Sequence, residues 1–106
     1  MRLLYLNPNS TTAMTDSIVA SARAAVPPGV EVLGWTNTDG PPAIQGPEDG
    51  AAAVAGLHAL LPRARDEGAD AIVIACFDDT GLEEIRAAAH CPVLGIGEAA
   101  YAMARL

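Results

Sequence analysis

In Ala71-Ile72-Val73-Ile74-Ala75-Cys76-Phe77-Asp78-Asp79-Thr80-Gly81-Leu82, β-branched and small apolar residues run without alternation and stop at a thiol. A polar, glycine-bearing turn and a helical pattern follow. An unbroken apolar run of this length is a strand buried on both faces, as in parallel sheets. The strand–turn–helix order puts Cys76 at the carboxyl end of that strand, the rim where open α/β sheets bind ligands. Backbone N–H groups and the positive end of a helix dipole at such a rim favour a thiolate. Cys76 is therefore a candidate for acid–base or nucleophilic chemistry.

The same rhythm repeats on both sides of this unit. Leu3-Leu4-Tyr5-Leu6 reads as a strand stopped by Asn7-Pro8-Asn9. Ser10, Thr11 and Thr12 are all suitable N-caps for a helix that runs to Ala25 and ends at Pro27-Pro28-Gly29. Val30 to Leu33 is the second strand. The Gly-, Pro-, Asn- and Thr-rich stretch 34–46 is a loop long enough to suspect function. Pro47 opens a helix with Ala53, Val54, Leu57, Leu60 and Leu61 on its buried face, and Pro62 is predicted to kink or split it. After the Cys76 unit comes a short helix from Leu82 to Ala89, then a fourth strand from Val93 to Ile96. A last helix opens at Gly97-Glu98 and still runs at Leu106.

Right-handed crossovers turn this order into an α/β fold with a four-stranded, parallel, flavodoxin-like sheet of order 2-1-3-4. Residues 1–106 are expected to form a single lobe. All four strands then point their carboxyl ends at one rim. A sheet of only four strands and a last helix without a stop signal suggest part of a larger protein.

Composition narrows the function classes. Thirteen acids face six arginines and no lysine, a net charge of −7 that repels nucleic-acid phosphates and anionic membranes. Neither is an expected partner; a small-molecule substrate is. With 51% hydrophobic residues the chain is no disordered tail. Two cysteines read as reduced thiols, and the N-terminal apolar run is too short for a signal peptide, so a cytoplasmic protein is expected.

Spacing disposes of other cysteine chemistries. A phosphatase loop needs an arginine six residues after the thiol, where Leu82 stands. A thioredoxin-type motif needs a second cysteine where Asp79 stands. His58 and His90 lack the neighbours of a metal site, so no metal is expected. Gly95-Ile96-Gly97 carries the first two glycines of a dinucleotide loop, but with Ala100 in the third place and no βαβ unit behind it.

Four motifs occur in order: Asn7-Pro8-Asn9-Ser10 with Thr12 and Met14; Gly40-Pro41-Pro42-Ala43-Ile44; Ala75 to Leu82; and Pro92-Val93-Leu94-Gly95-Ile96-Gly97-Glu98-Ala99-Ala100. Together they resemble the N-terminal half of the aspartate/glutamate/hydantoin racemase family, in particular its hydantoin and allantoin racemase branch. The resemblance covers essentially the whole chain. It implies racemisation without a cofactor, by two cysteines from two pseudo-symmetric lobes. One thiolate removes the proton next to a carbonyl and the opposite thiol returns one to the other face. The substrate class implied is a hydantoin, allantoin or amino-acid-type molecule.

Carried over residue by residue, Cys76 takes the place of the first cysteine. The N–H groups of Phe77, Asp78, Asp79 and Thr80 would hold the substrate carbonyl or carboxylate in the manner of an oxyanion hole. Asn7 matches the strand-end asparagine, and Pro42, Ala43 and Ile44 match a pocket wall. The second family cysteine belongs to a C-terminal half absent from this chain. Cys91 precedes the fourth strand and is expected at the opposite rim, roughly 15 Å from Cys76, as a structural thiol. Three states follow as expectations: a racemase lobe completed by a C-terminal lobe, a homo-oligomer that sets two copies of Cys76 face to face, or a catalytically silent ligand-binding half.

Overall fold

The computed structural model describes all residues from Met1 to Leu106. Its elements are β1 (Arg2–Asn7), α1 (Thr12–Ala25), β2 (Glu31–Thr36), α2 (Pro47–Asp66), β3 (Ala71–Ile74), α3 (Leu82–Ala88), β4 (Val93–Gly95) and α4 (Ile96–Ala104). The strands form one sheet of order β2-β1-β3-β4, and every pair is parallel. The predicted fold class and strand order hold.

Register explains the division of the apolar residues. Leu4 is paired with Leu33 and Ile72, and Ile72 with Val93; Leu6 is paired with Trp35 and Ile74. In-register neighbours share a face, so these side chains project together toward α2 and α3. There they meet Leu57, Leu61, Ala64, Leu82 and Ile85 in a single core. The other face is covered by α1 beside β2, where Gly34 permits the approach: a Cβ at that position would overlap the Val19 side chain.

Two local expectations differ from the structure. β2 continues past Leu33, because Gly34, Trp35 and Thr36 pair with Tyr5, Leu6 and Asn7. Glycine weakens a strand by propensity, but here the ladder and the α1 contact outweigh that. Trp35 reaches the core, and Arg63 stacks its guanidinium 4.0 Å above the ring centre. Pro62 does not split α2, which runs unbroken to Asp66 with the proline on its exposed side.

Both outer strands carry a capping arginine. Arg23 donates from Nη2 to the Val32 carbonyl at 3.1 Å on β2. Arg86 donates from Nε and Nη2 to the Val93 carbonyl at 3.1 and 2.8 Å on β4. Beyond β4 the surface turns apolar: Leu94, Tyr101 and Met103 are half or more exposed, and Phe77 leans on the Tyr101 ring at 5.7 Å. None of the helices is long and apolar enough to cross a membrane.

Candidate active site

β3 ends at Ile74, and the chain carries on to Cys76 at the carboxyl rim, where the half-buried thiol packs against the core. Its Sγ lies 3.4 Å from the Thr80 hydroxyl. The intervening turn is built from two left-handed residues. Asp79 has φ 53°, the one non-glycine positive value in the chain, and Gly81 has φ 74°. The Asp79 N–H closes the turn on the Cys76 carbonyl at 2.9 Å, and the Leu82 N–H donates to the Asp79 carbonyl at 3.0 Å as α3 begins.

That closure changes the expected donor set. The Asp79 N–H is consumed inside the turn, so it does not face a ligand. The N–H groups of Phe77, Asp78 and Thr80 have no acceptor within the protein. Three donors beside one sulfur remain, in a turn whose backbone is held on both sides.

The Asp79 carboxylate is also turned inward. It caps the start of α4, accepting from the Gly97 N–H at 2.9 Å and the Glu98 N–H at 2.8 Å. The glycines of Gly95-Ile96-Gly97 make room for it: a Cβ on either would collide with the carboxylate, and on Gly97 also with the Phe77 carbonyl. Their role here is steric accommodation of a carboxylate. Glu98 completes the cap by accepting from the Gly95 N–H at 3.2 Å and pairing with Arg86.

Asn7 stands at the end of β1 as expected, and its side chain is 1% exposed. Its amide donates toward Asn9 Oδ1, the Thr11 carbonyl and Thr15 Oγ1 at 3.0–3.2 Å, and its oxygen accepts from the Asn9 N–H at 3.2 Å. With both ends engaged, Asn7 ties β1 to α1.

The 34–46 stretch also divides. Ser10 N–H donates to the Pro41 carbonyl at 2.9 Å and Thr11 Oγ1 to the Pro42 carbonyl at 2.8 Å, pinning the loop to the start of α1. Of the expected wall residues, Ile44 lines the cleft beside the turn; Pro42 and Ala43 lie exposed outside it. The residue that holds the loop is Asn37, which sequence reasoning missed. It is 2% exposed and donates to the carbonyls of Pro8 and Ala53 at 2.9 and 3.0 Å. Its available signal is Asn37-Thr38-Asp39-Gly40, a turn pattern directly after a strand.

Between this loop, the start of α2 and the Cys76 turn opens a cleft of about 930 Å³. Thr80 lines it and Cys76 does not; the sulfur lies 3.4 Å from the Thr80 hydroxyl. Asp78, Asp79, Glu83, Glu84 and Glu98 border the cleft, and no arginine or histidine does.

Cys91 lies at the other end of the sheet. Val93 pairs with Ile72, which puts Cys91 level with Asp70, while Cys76 is six residues further along β3. At about 3.3 Å per residue the two thiols are separated by roughly 20 Å, too far to flank one carbon or form a disulfide. Burial, and secondarily the charge of Asp70, raise the Cys91 pKa above its ordinary value. The unfolded chain then loses this proton at a lower pH than the folded one. Folding stability is accordingly expected to fall as the pH rises from about 8.5 upward. Urea midpoints measured from pH 7 to 10 check this, and Cys91→Ala should flatten the alkaline decline.

The model of the Asp/Glu/hydantoin racemase family matches residues 3–106. The chain is 39% identical over 104 residues to a hydantoin racemase of Paenarthrobacter aurescens, covering 97% of this chain and 44% of that protein. Identity to a hydantoin racemase of Rhizobium meliloti is 40% over 104 residues, covering 98% and 43%. Among solved structures, the allantoin racemase from Klebsiella pneumoniae superposes with TM-score 0.94 at 43% identity, over 99% of this chain and 43% of that one. The allantoin racemase from Pseudomonas fluorescens gives 0.91 at 31% identity, over 99% and 44%. The chain thus spans under half the length of the curated relatives it matches.

Proposed function

The chain belongs to the Asp/Glu/hydantoin racemase family, and from that footing we propose that it is the thiol-bearing lobe of a cofactor-independent racemase of hydantoin- or allantoin-type rings. The observation that carries this is the Cys76 turn. A sulfur at a strand end, a hydroxyl 3.4 Å away and three backbone N–H groups without acceptors lie within five consecutive residues.

The chemistry runs in two proton transfers. The Cys76 thiolate takes the proton from the ring carbon next to the carbonyl, and the C–H electron pair moves into an enolate. Charge builds on the carbonyl oxygen, where N–H donors stabilise it more than they stabilise the ground-state carbonyl. Reprotonation from the same sulfur restores the starting enantiomer; inversion needs an acid on the opposite face. The Thr80 hydroxyl fixes the sulfur's direction. Within this chain Cys91 cannot supply the second acid, because it lies at the far rim.

The carboxylates around the cleft favour an uncharged ring over a free amino acid. A substrate carboxylate would enter a field of like charge with no cation to clamp it. Hydantoin and allantoin rings are neutral near pH 7, and their N–H groups are donors that the carboxylates of Asp78, Glu83 and Glu84 can accept. The missing opposite acid motivates a second reading, in which the lobe binds such a ring but stays silent until another lobe or a second copy faces it.

Loss of the ring C–H signal in D2O, followed by NMR for each enantiomer of a 5-substituted hydantoin against an enzyme-free blank, separates these readings. Exchange of both enantiomers with inversion means two acids are present, and so a dimer or a completing lobe. Exchange of one enantiomer alone means a lone working thiol. A rate equal to the blank favours the silent lobe and defeats the racemase reading for this chain by itself.

A further inference from the structure

Asp79 occupies a position that its chemistry does not explain locally. A left-handed conformation is unfavourable for a residue with a Cβ, though aspartate tolerates it better than most. Gly81, the other left-handed residue of the turn, is free of that penalty, and a glycine at position 79 would be too. What Asp79 gains is its side chain. The carboxylate reaches across to α4 and accepts two N–H bonds at its first turn, where a negative charge is also favoured by the helix dipole. From the other side Gly95 and Gly97 lack the Cβ that would exclude it, and Gly97 lies against the Phe77 carbonyl.

The same residue closes the Cys76 turn through its N–H and starts α3 through its carbonyl. Gly97 is the only buried residue of α4; Glu98 pairs with Arg86 of α3, and the Phe77–Tyr101 ring contact is its other tie to the turn. The Asp79 carboxylate is the hydrogen-bonded link between the helix and the turn.

We propose that Asp79 is a positioning residue that couples the seating of α4 to the placement of the Cys76 sulfur and of the free N–H groups of Phe77, Asp78 and Thr80, without touching substrate itself. The proposal rests on the reading of Cys76 as the acid–base group. It gives that site a mechanical input: anything that shifts α4 changes the shape of the donor set next to the thiol.

The test compares Asp79→Asn and Gly95→Ala with the parent protein. Asparagine keeps the shape but sets an NH2 group against one of the two α4 donors. Alanine at position 95 presses on the carboxylate alone, since a Cβ there meets only Asp79. The readout is the rate of alkylation of Cys76 by iodoacetamide at pH 8, measured by peptide mass spectrometry relative to Cys91 in the same sample. A freed turn exposes the half-buried sulfur, so the Cys76-to-Cys91 ratio is expected to rise about threefold or more in both variants. General loosening of the fold raises both thiols together and leaves the ratio unchanged. A ratio within about 1.5-fold of the parent in folded protein would overturn the proposal. If Asp79→Asn does not fold, Gly95→Ala carries the test alone.

Where hydantoin exchange is measurable, Asp79→Asn should lower kcat about tenfold with KM changed less than about twofold. A raised KM with kcat retained would instead make Asp79 a substrate ligand and defeat the proposal. The alkylation ratio needs no activity, so it stands or falls separately from the racemase reading, which Cys76→Ser tests.

Discussion

Cys76→Ser is expected to bring proton exchange at the ring carbon down to the uncatalysed rate, a loss of about 10³-fold or more. A serine hydroxyl is not ionised near neutral pH and has no neighbouring base here to take its proton. Its volume is close to that of cysteine, and it can keep the hydrogen bond to Thr80, so the turn should survive. That makes the change a chemical rather than a structural one. The D2O exchange assay reads it, and the melting temperature should move by no more than about 3 °C. Residual exchange within tenfold of the parent protein would remove Cys76 from the mechanism.

Asn37→Asp is expected to be strongly destabilising. The amide nitrogen of Asn37 is buried between the carbonyls of Pro8 and Ala53, both of which it donates to. Aspartate replaces that donor with an acceptor carrying negative charge and sets it against two carbonyl oxygens in a dry site. Losing both bonds and burying an unpaired charge costs about 3 kcal/mol or more. Relief by movement is blocked, because Gly56 of α2 lies so close that even a Cβ there would overlap the carboxamide. For a domain of this size the melting temperature should drop by about 10 °C or more. Asn37→Ala, which removes the donor without adding charge, should fall between the parent protein and the aspartate variant. A loss below about 1 kcal/mol for the aspartate variant would mean that the loop is not held there.

The order of the strands was legible because parallel-sheet strands are short apolar runs, and those runs are set off in this sequence by Asn-Pro, Pro-Gly and Asp-Asp-Thr-Gly signals. The position of Cys76 followed from the same pattern. The fate of the polar side chains around it was not. Asn7, Asn37 and Asp79 look alike in sequence, each a turn-forming residue near the rim. Their partners are backbone groups brought close only by the fold: Ala53 is sixteen residues from Asn37, and Gly97 eighteen from Asp79. No local pattern encodes such a pairing. Gly34 misled for the same reason, since the Val19 side chain that requires it belongs to another element. Gly95 and Gly97 resembled a phosphate loop because close approach of any polar group demands glycine, whether that group is a ligand or an aspartate of the same chain.

The arginines on the two outer strands bear on how this chain behaves in a crowded solution. An open sheet leaves unpaired carbonyls along both edges, and these are templates on which a second chain can add a strand. Arg23 and Arg86 each occupy an outward carbonyl with a bulky cation, on β2 and β4 respectively. β4 is also only three residues long and offers a poor ladder to extend. Self-association through strand addition is thereby discouraged at both ends of the sheet. Replacing either arginine removes a guard against fibril-like stacking.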